Sequence, residues 1–304
     1  MIRIAFLGTP QAAVPAVGRL AHLHEVGLVV TQPDRPRGRS GAPQPSPVKT
    51  RALELGIAVA QPETKAAVAA ALSERGPFDL AVVVAYGRML TAEALAVPRA
   101  GAVNAHFSLL PRWRGAAPVA RALMEGDAMT GVTVIKLDEG LDTGPVLTAQ
   151  AVDVAATENA GDLTSRLAGL GAGLLASSIP AYLAGALIPA PQSGEGVAYA
   201  PKITSADRPL DLDGASEGFI NKVRGLAPAP GATLRVDGEP HRILAARPHD
   251  HVPPAGAWEA VDAAPVVSVG GDGVEITAIQ PPGKRPMSGD AWLRGRRTAS
   301  GRAA

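Results

Sequence analysis

Apolar residues cluster in short continuous runs over the first two-thirds of the chain. Ile2–Leu7, Val26–Thr31, Leu80–Ala85, Ala102–Ala105 and Val132–Leu137 are bounded by Gly or Pro and rich in β-branched residues. Strands buried on both faces of a parallel sheet have this pattern. Helical patterns lie between them at Ala12–Leu23, Pro47–Leu55, Lys65–Arg75 and Ala116–Glu125, with a further helix over Asp162–Leu183. Such alternation predicts an α/β fold with a doubly wound, Rossmann-like, mostly parallel sheet covered by helices on both faces. Ligands of such a sheet sit outside the carboxyl ends of its strands.

The pattern changes after residue 185. IPAPQSGEGVAYAPKITSADRP has no periodic apolar positions and is rich in Pro, Gly and Ser, as linkers are. Strand-like pieces follow at Ala232–Val236, His241–Ala246, Pro265–Val269 and Val274–Ile279, separated by the turns DGEP and GGDG. They predict a small β-barrel or sandwich. The expected division is a first domain over 1–185, a linker over 186–203 and a β-domain over 204–304.

Composition narrows the possible chemistry. With 304 residues, 46% of them hydrophobic, two domains are expected. The net charge of +1 does not mark a general nucleic-acid binder, so any basic footprint is local. There is no cysteine, which excludes disulfides, thiolate nucleophiles and Cys-based zinc sites. The N-terminal apolar run is too short for a signal peptide, and the apolar region 160–188 is broken by Asp162 and Arg166. It reads as a buried helix, and the protein as cytoplasmic. LGTP follows the first strand, but neither G-x-G-x-x-G nor G-x-x-x-x-G-K-[ST] occurs, which argues against a nicotinamide or nucleoside triphosphate cofactor. The pairs His22/His24 and His249/His251 lack further ligands at metal spacing and read as surface residues, so no metal is expected.

The chemistry concentrates in NAHFSLLPRWRGAAP, which starts at Asn104. Asn104 and His106 are two apart after an apolar run, so in a strand they face one side. The later cluster DEGLDTGPV contains Asp142. If the strands before these two segments approach each other at the sheet's crevice, Asp142 meets His106. Amide, imidazole and carboxylate then form a set able to stabilise an oxyanion and move protons. On spacing alone a second reading stands beside it: Asn104 and Asp142 are turn residues and His106 a satisfied loop histidine.

NAHFSLLPRWRGAAP with GLDTGPV resembles the formyltransferases that use 10-formyltetrahydrofolate, in particular the branch acting on methionyl-tRNA. The resemblance extends to LGTP, TQPDRPRGR, PSPVK, VVVAYG, the linker and the C-terminal domain. It implies catalytic roles for Asn104, His106 and Asp142, and folate contacts from Ser108, Leu109, Leu110 and Pro111, with Tyr86 and Gly87. It also implies an oligonucleotide-binding (OB-like) barrel at the C-terminus. The implied reaction passes the formyl group of 10-formyltetrahydrofolate, a co-substrate, to the amine of initiator Met-tRNA. No covalent enzyme intermediate is needed and no membrane partner is expected; the enzyme is expected to be a monomer.

Two basic segments fit a tRNA. Residues 35–51 hold five basic residues and no acid, and Lys284 to Arg302 holds six with one acid, Asp290. On composition alone these are equally a solvated loop and a frayed basic tail. The resemblance implies tRNA contacts at Arg37, Arg39, Lys284 and Arg285. Two segments depart from the family pattern. Ser40, Gly41 and Ala42 stand where relatives often carry a lysine pair, and Phe107 stands where several carry a small residue. Rival readings are formyl transfer from the same folate to a small amine (a ribonucleotide or amino sugar nucleotide) and a non-catalytic RNA-binding protein. The β-domain argues against the first, and the intact trio against the second.

Overall fold

The computed structural model describes residues 1–36 and 41–304. They divide into two compact units: Met1–Pro118, Met129–Asp153 and Thr164–Ala200 in the first, Val119–Ala128, Val154–Leu163 and Pro201–Ala304 in the second. Residues 119–128 and 154–163 thus join the C-terminal unit from inside the stretch 1–185.

The first unit holds, in chain order, β1 (Arg3–Gly8), β2 (Glu25–Val30), β3 (Val59–Ala60), β4 (Leu80–Val84), β5 (Ala102–His106), the two-residue β6 (Arg114–Gly115), β7 (Met129–Lys136), β8 (Val146–Asp153) and the two-residue β9 (Tyr199–Ala200). The main sheet runs β8-β7-β5-β4-β1-β2-β3, and β6 pairs separately with β9. From β3 to β5 all pairings are parallel. These central strands are buried because helices flank the sheet; β4 has no exposed residue along its length. Helices α1 (Val14–Leu23), α2 (Pro47–Glu54) and α3 (Ala66–Arg75) fall where the periodicity predicts them, and a short α4 (Ala92–Ala96) precedes β5. α2 begins with Pro47, and the Ser46 side chain accepts from Lys49 N, a standard N-cap arrangement. Gly8 ends β1 where a Cβ would meet the Phe6 ring at 2.8 Å and the Val84 carbonyl at 2.9 Å, so the chain turns there only with glycine.

Two strands differ from expectation. β7 runs antiparallel to β5, with His106 opposite Thr133 and Asn104 opposite Ile135, so the run read as a parallel strand is reversed. A buried apolar run looks the same in either direction, so direction is not encoded in it. The edge strand β8, antiparallel to β7, is largely unburied, and Thr148 and Gln150 break its apolar residues, so no continuous run announces it.

The second unit contains α5 (Pro118–Glu125) apart from Pro118 itself, and the N-terminal end of α6 (Ala160–Leu183). Its helix α7 (Ser216–Leu226), unexpected from the sequence, buries Phe219, Val223 and Leu226, which lie on one helical face. Strands β10 (Ala232–Val236), β11 (Glu239–His249), β12 (Ala257–Val261), β13 (Ala264–Val269), β14 (Asp272–Gln280) and β15 (Ser300–Arg302) form an antiparallel sheet ordered β10-β11-β14-β13-β12-β15. A bridge from Val236 to Ala303 brings the last strand back to the first, so the sheet curls as an OB-like barrel does. Among the described residues no helix is long and apolar enough to cross a membrane.

One ion pair in this unit predicts an acid limb. Arg121 Nη1 donates to Asp207 Oδ1 at 2.7 Å, both side chains under 20% exposed. Arg121, then the Thr204 main-chain N–H, hold the Asp207 carboxyl down to about 2 from 3.8. A depressed carboxyl stabilises the fold above its unfolded value and loses that contribution as pH falls through the folded one. Asp207→Asn is therefore expected to cost about 1–2 kcal/mol at pH 6 and progressively less as pH falls toward and through about 2. Urea midpoints measured from pH 6 to 2 check it; parallel curves for variant and parent count against it.

Candidate active site

Asn104 and His106 leave β5 on one side and meet the same carboxylate. Asn104 Nδ2 donates to Asp142 Oδ1 at 3.4 Å, and His106 Nδ1 lies 3.6 Å from Asp142 Oδ2. The intervening Ala105 and the following Phe107 face the other way. A Cβ on Gly171 of α6 would lie 3.4 Å from the Phe107 ring and 3.6 Å from Ala105. Phe107, the unusual residue of the motif, thus packs into the core against α6, and the alternation of a strand explains why.

Asp142 reaches the pair by an indirect route. Because β7 is antiparallel, its end lies beside the start of β5, where Leu137 N donates to the Ala102 carbonyl. The loop 137–145 must double back to bring Asp142 to His106. Asp142 takes φ +54°, a left-handed conformation that Asp tolerates better than most residues. The Gly115 main-chain N–H donates to Asp142 Oδ2 at 2.8 Å. Gln192 pins the loop's backbone, donating to the Asp142 and Gly144 carbonyls at 2.8 Å each. Its own Oε1 accepts from Arg114 Nε at 3.2 Å and Nη2 at 2.7 Å. The segment expected as a linker therefore carries a residue that positions the carboxylate.

The contacts of His106 define its protons. Nε2 lies 2.8 Å from the Trp113 carbonyl, which can only accept, so Nε2 is the donor. Nδ1 then faces Asp142 Oδ2 at 3.6 Å, beyond hydrogen-bond length, so a second proton there gives a cation whose Nδ1–H remains available to a ligand oxygen. His106 and Asp142 side chains are 6% and 13% exposed, so charge here is poorly screened by water. Among the described residues, only the 3.4 Å bond to Asp142 engages the two N–H groups of the Asn104 amide. The amide can therefore serve a ligand oxygen as well.

Beside this trio the SLLP segment forms a turn braced from within. Ser108 Oγ donates to the Arg112 carbonyl at 2.6 Å. Thr133 Oγ1 on β7 donates to the Ser108 carbonyl at 2.7 Å and accepts from Leu110 N at 3.1 Å. Leu109, Leu110 and Pro111 are half-buried, an apolar shelf next to the polar trio. The strand β4 is one place over, with Val83 opposite Asn104. Past its end Gly87 is exposed at φ +85°. The Tyr86 ring lies in the core with Ala5, Leu7 and Phe78; among the described residues its hydroxyl has no partner, and burial raises its pKa. The Tyr86 carbonyl accepts from Thr9 Oγ1 and Gln32 Nε2, so its ring and carbonyl are committed to the fold.

The remaining candidates lie elsewhere. Lys284 and Arg285 are exposed, in the turn after β14 of the second unit. Arg37 and Arg39 lie outside the described residues. The chain on either side of them is anchored: Lys49 Nζ donates to Asp34 Oδ2 at 2.6 Å and Gln61 Oε1 at 2.7 Å. Lys49, then Gln61, hold the Asp34 carboxyl below its ordinary value. Among the described residues no group of three or more His, Asp or Glu could hold a metal ion. Thr133, Gly115, Trp113 and Gln192 were not singled out in the sequence. Gly115 and Trp113 lie inside the conspicuous motif, but nothing in the sequence marks Thr133 or Gln192.

Known proteins resemble this chain over nearly its whole length. Residues 2–179 match the formyl transferase family and residues 202–297 its C-terminal domain. The chain is 46% identical to a methionyl-tRNA formyltransferase of Halorhodospira halophila, covering 98% of both chains. It is 44% identical to that of Streptomyces griseus, covering 99% of this chain and 98% of the relative. A solved N-formyltransferase from Helicobacter canadensis, in complex with folinic acid and dTDP-3-aminofucose, superposes with a TM-score of 0.70 at 16% identity. That structure is covered in full by 92% of this chain; the likeness is one of fold.

Proposed function

This chain belongs to the formyl transferase family, and from that premise we propose that it formylates methionyl-tRNA for translation initiation, using 10-formyltetrahydrofolate. In this reading it works as a cytoplasmic monomer on initiator Met-tRNA. Residues 1–185 carry the chemistry and the folate site, 186–203 link while their Gln192 holds the Asp142 loop, and 204–304 bind tRNA. The observation that carries the reading is the sharing of one carboxylate, Asp142, by Asn104 and His106 beside the braced SLLP turn. Full-length relatives named for methionyl-tRNA favour this acceptor over a small amine.

The folate supplies an activated formyl group. A bond forms between the methionyl nitrogen and the formyl carbon, and the bond from that carbon to the folate nitrogen breaks. The proton lost by the attacking amine ends on the folate nitrogen. Asn104 donates an N–H to the formyl oxygen as negative charge develops there. His106 in its cationic form adds a charge-assisted donor, and Asp142 orients the ring, balances its charge and helps take the amine proton. The neutral amine is already a nucleophile, so positioning supplies much of the acceleration. The Leu109–Pro111 shelf offers an apolar surface for the folate, and the fixed main chain around Leu110 sets its place.

The reading is tested by formylation of initiator Met-tRNA, elongator Met-tRNA and small amines side by side. Preference for a small amine overturns it. A second expectation concerns Arg37 and Arg39, which neutralise acceptor-arm phosphates in this reading. Replacing both with alanine is expected to raise the KM for Met-tRNA about tenfold or to lower turnover, while the KM for folate stays. The salt dependence should become shallower, since fewer phosphates are neutralised. The double variant should exceed either single one, because no lysine pair follows Arg39 to share the charge. Equal Met-tRNA kinetics across a salt titration would leave these arginines as solvated surface.

A further inference from the structure

Tyr199 is the one exposed aromatic side chain among the described residues, at 61%, and its main chain is paired next to the residue that holds the Asp142 carboxylate. In the parallel pairing of β6 with β9, Tyr199 stands opposite Arg114 and Ala200 opposite Gly115. Gly115 is the residue whose N–H holds Asp142 Oδ2, and neighbouring strands lie about 4.8 Å apart. The backbone on both sides of Tyr199 is fixed to the site wall. Arg114 N donates to the Ala198 carbonyl at 2.9 Å, and Ala116 N and Ala117 N to the Ala200 carbonyl at 2.9 and 3.1 Å. A rigidly mounted main chain thus presents an uncovered ring, an expensive exposure for a chain with 3% aromatic residues. The other aromatic at this wall is taken: Trp113 is buried, and the Arg112 guanidinium covers its ring at 4.4 Å.

We propose that the Tyr199 ring is the stacking platform for the terminal adenine base of the tRNA 3′ end. The inference rests on the formyl transfer to Met-tRNA argued above. The methionyl group is esterified to the terminal ribose, so the base on that ribose lies only a few bonds from the reacting amine. Once the amine is at Asn104 and His106, that base must lie against the nearby wall. Stacking on an aromatic ring holds a base without reading its edge, which suits an end that every tRNA shares. Tyr199 is therefore a binding residue that sets the reach of the acceptor, and selection of the initiator lies elsewhere.

The test compares parent, Tyr199→Leu and Tyr199→Phe. Tyr199→Leu is expected to lower kcat/KM for Met-tRNA about tenfold or more, and Tyr199→Phe to stay near the parent. The dissociation constant for a folate analogue should be the same in all three. Initiator tRNA carrying 2-aminopurine as its 3′-terminal base should lose fluorescence on binding the parent and Tyr199→Phe, and keep it on Tyr199→Leu. Equal quenching by Tyr199→Leu, or unchanged kcat/KM, overturns the proposal alone. Weaker folate binding in Tyr199→Leu also overturns it, by assigning the ring to the folate. A parent that fails to formylate Met-tRNA overturns the functional reading and the proposal with it.

Discussion

His106→Ala is expected to slow the chemical step by about 10²-fold or more, the order seen when one donor to a developing oxyanion is lost. Asn104→Ala should do the same for the same reason. Folding should survive, since Asp142 keeps its 2.8 Å bond from Gly115 N and its loop keeps both bonds from Gln192. The imidazole cannot be replaced by the Trp113 carbonyl behind it, which accepts and does not donate. Single-turnover rates at saturating Met-tRNA and folate isolate the step from binding. A near-parent rate in either variant would reject the roles of both groups. The double variant should lose less than the product of the single losses, because the two side chains share Asp142 and residues that act together are not additive.

Leu110→Asp is expected to abolish binding of a folate analogue, raising its dissociation constant by at least about 10²-fold. It sets an ionised carboxylate on an apolar shelf, where a bound ring system would strip its water without offering a partner. The main chain around it has separate support from Thr133 Oγ1, which accepts from Leu110 N and donates to the Ser108 carbonyl, so the turn should persist. Thr133→Val removes that brace and leaves the shelf's side chains alone. It is expected to weaken folate by a smaller factor, about tenfold, corresponding to the loss of ordinary buried hydrogen bonds. Equilibrium binding of the analogue, with circular dichroism as the folding control, measures both. An unchanged dissociation constant in folded Leu110→Asp moves the folate away from this segment.

Much of the chain's organisation is legible in its sequence because it depends on local chemistry. Period and length of apolar runs found β1, β2, β4, β5, β7 and the helices α1, α2, α3, α5 and α6, and the turn residues found most of the C-terminal strands. Spacing placed Asn104 and His106 on one side of a strand, since alternation is a property of any extended chain. What had no local signature was decided by the fold. Strand direction is one case: β7 is antiparallel although its apolar run reads like its neighbours, so Asp142 arrives by a doubled-back loop. Distance in sequence is another, because Gln192 meets Asp142 across fifty residues from a stretch whose composition resembles a tether. Tyr199 belongs with it, an aromatic in a Pro- and Gly-rich stretch that only the β6–β9 pairing sets beside the reaction centre. Local preferences chose the elements and the reactive side chains. Long-range pairing, which depends on burial and hydrogen bonding summed over the folded chain, chose which of those side chains share a carboxylate.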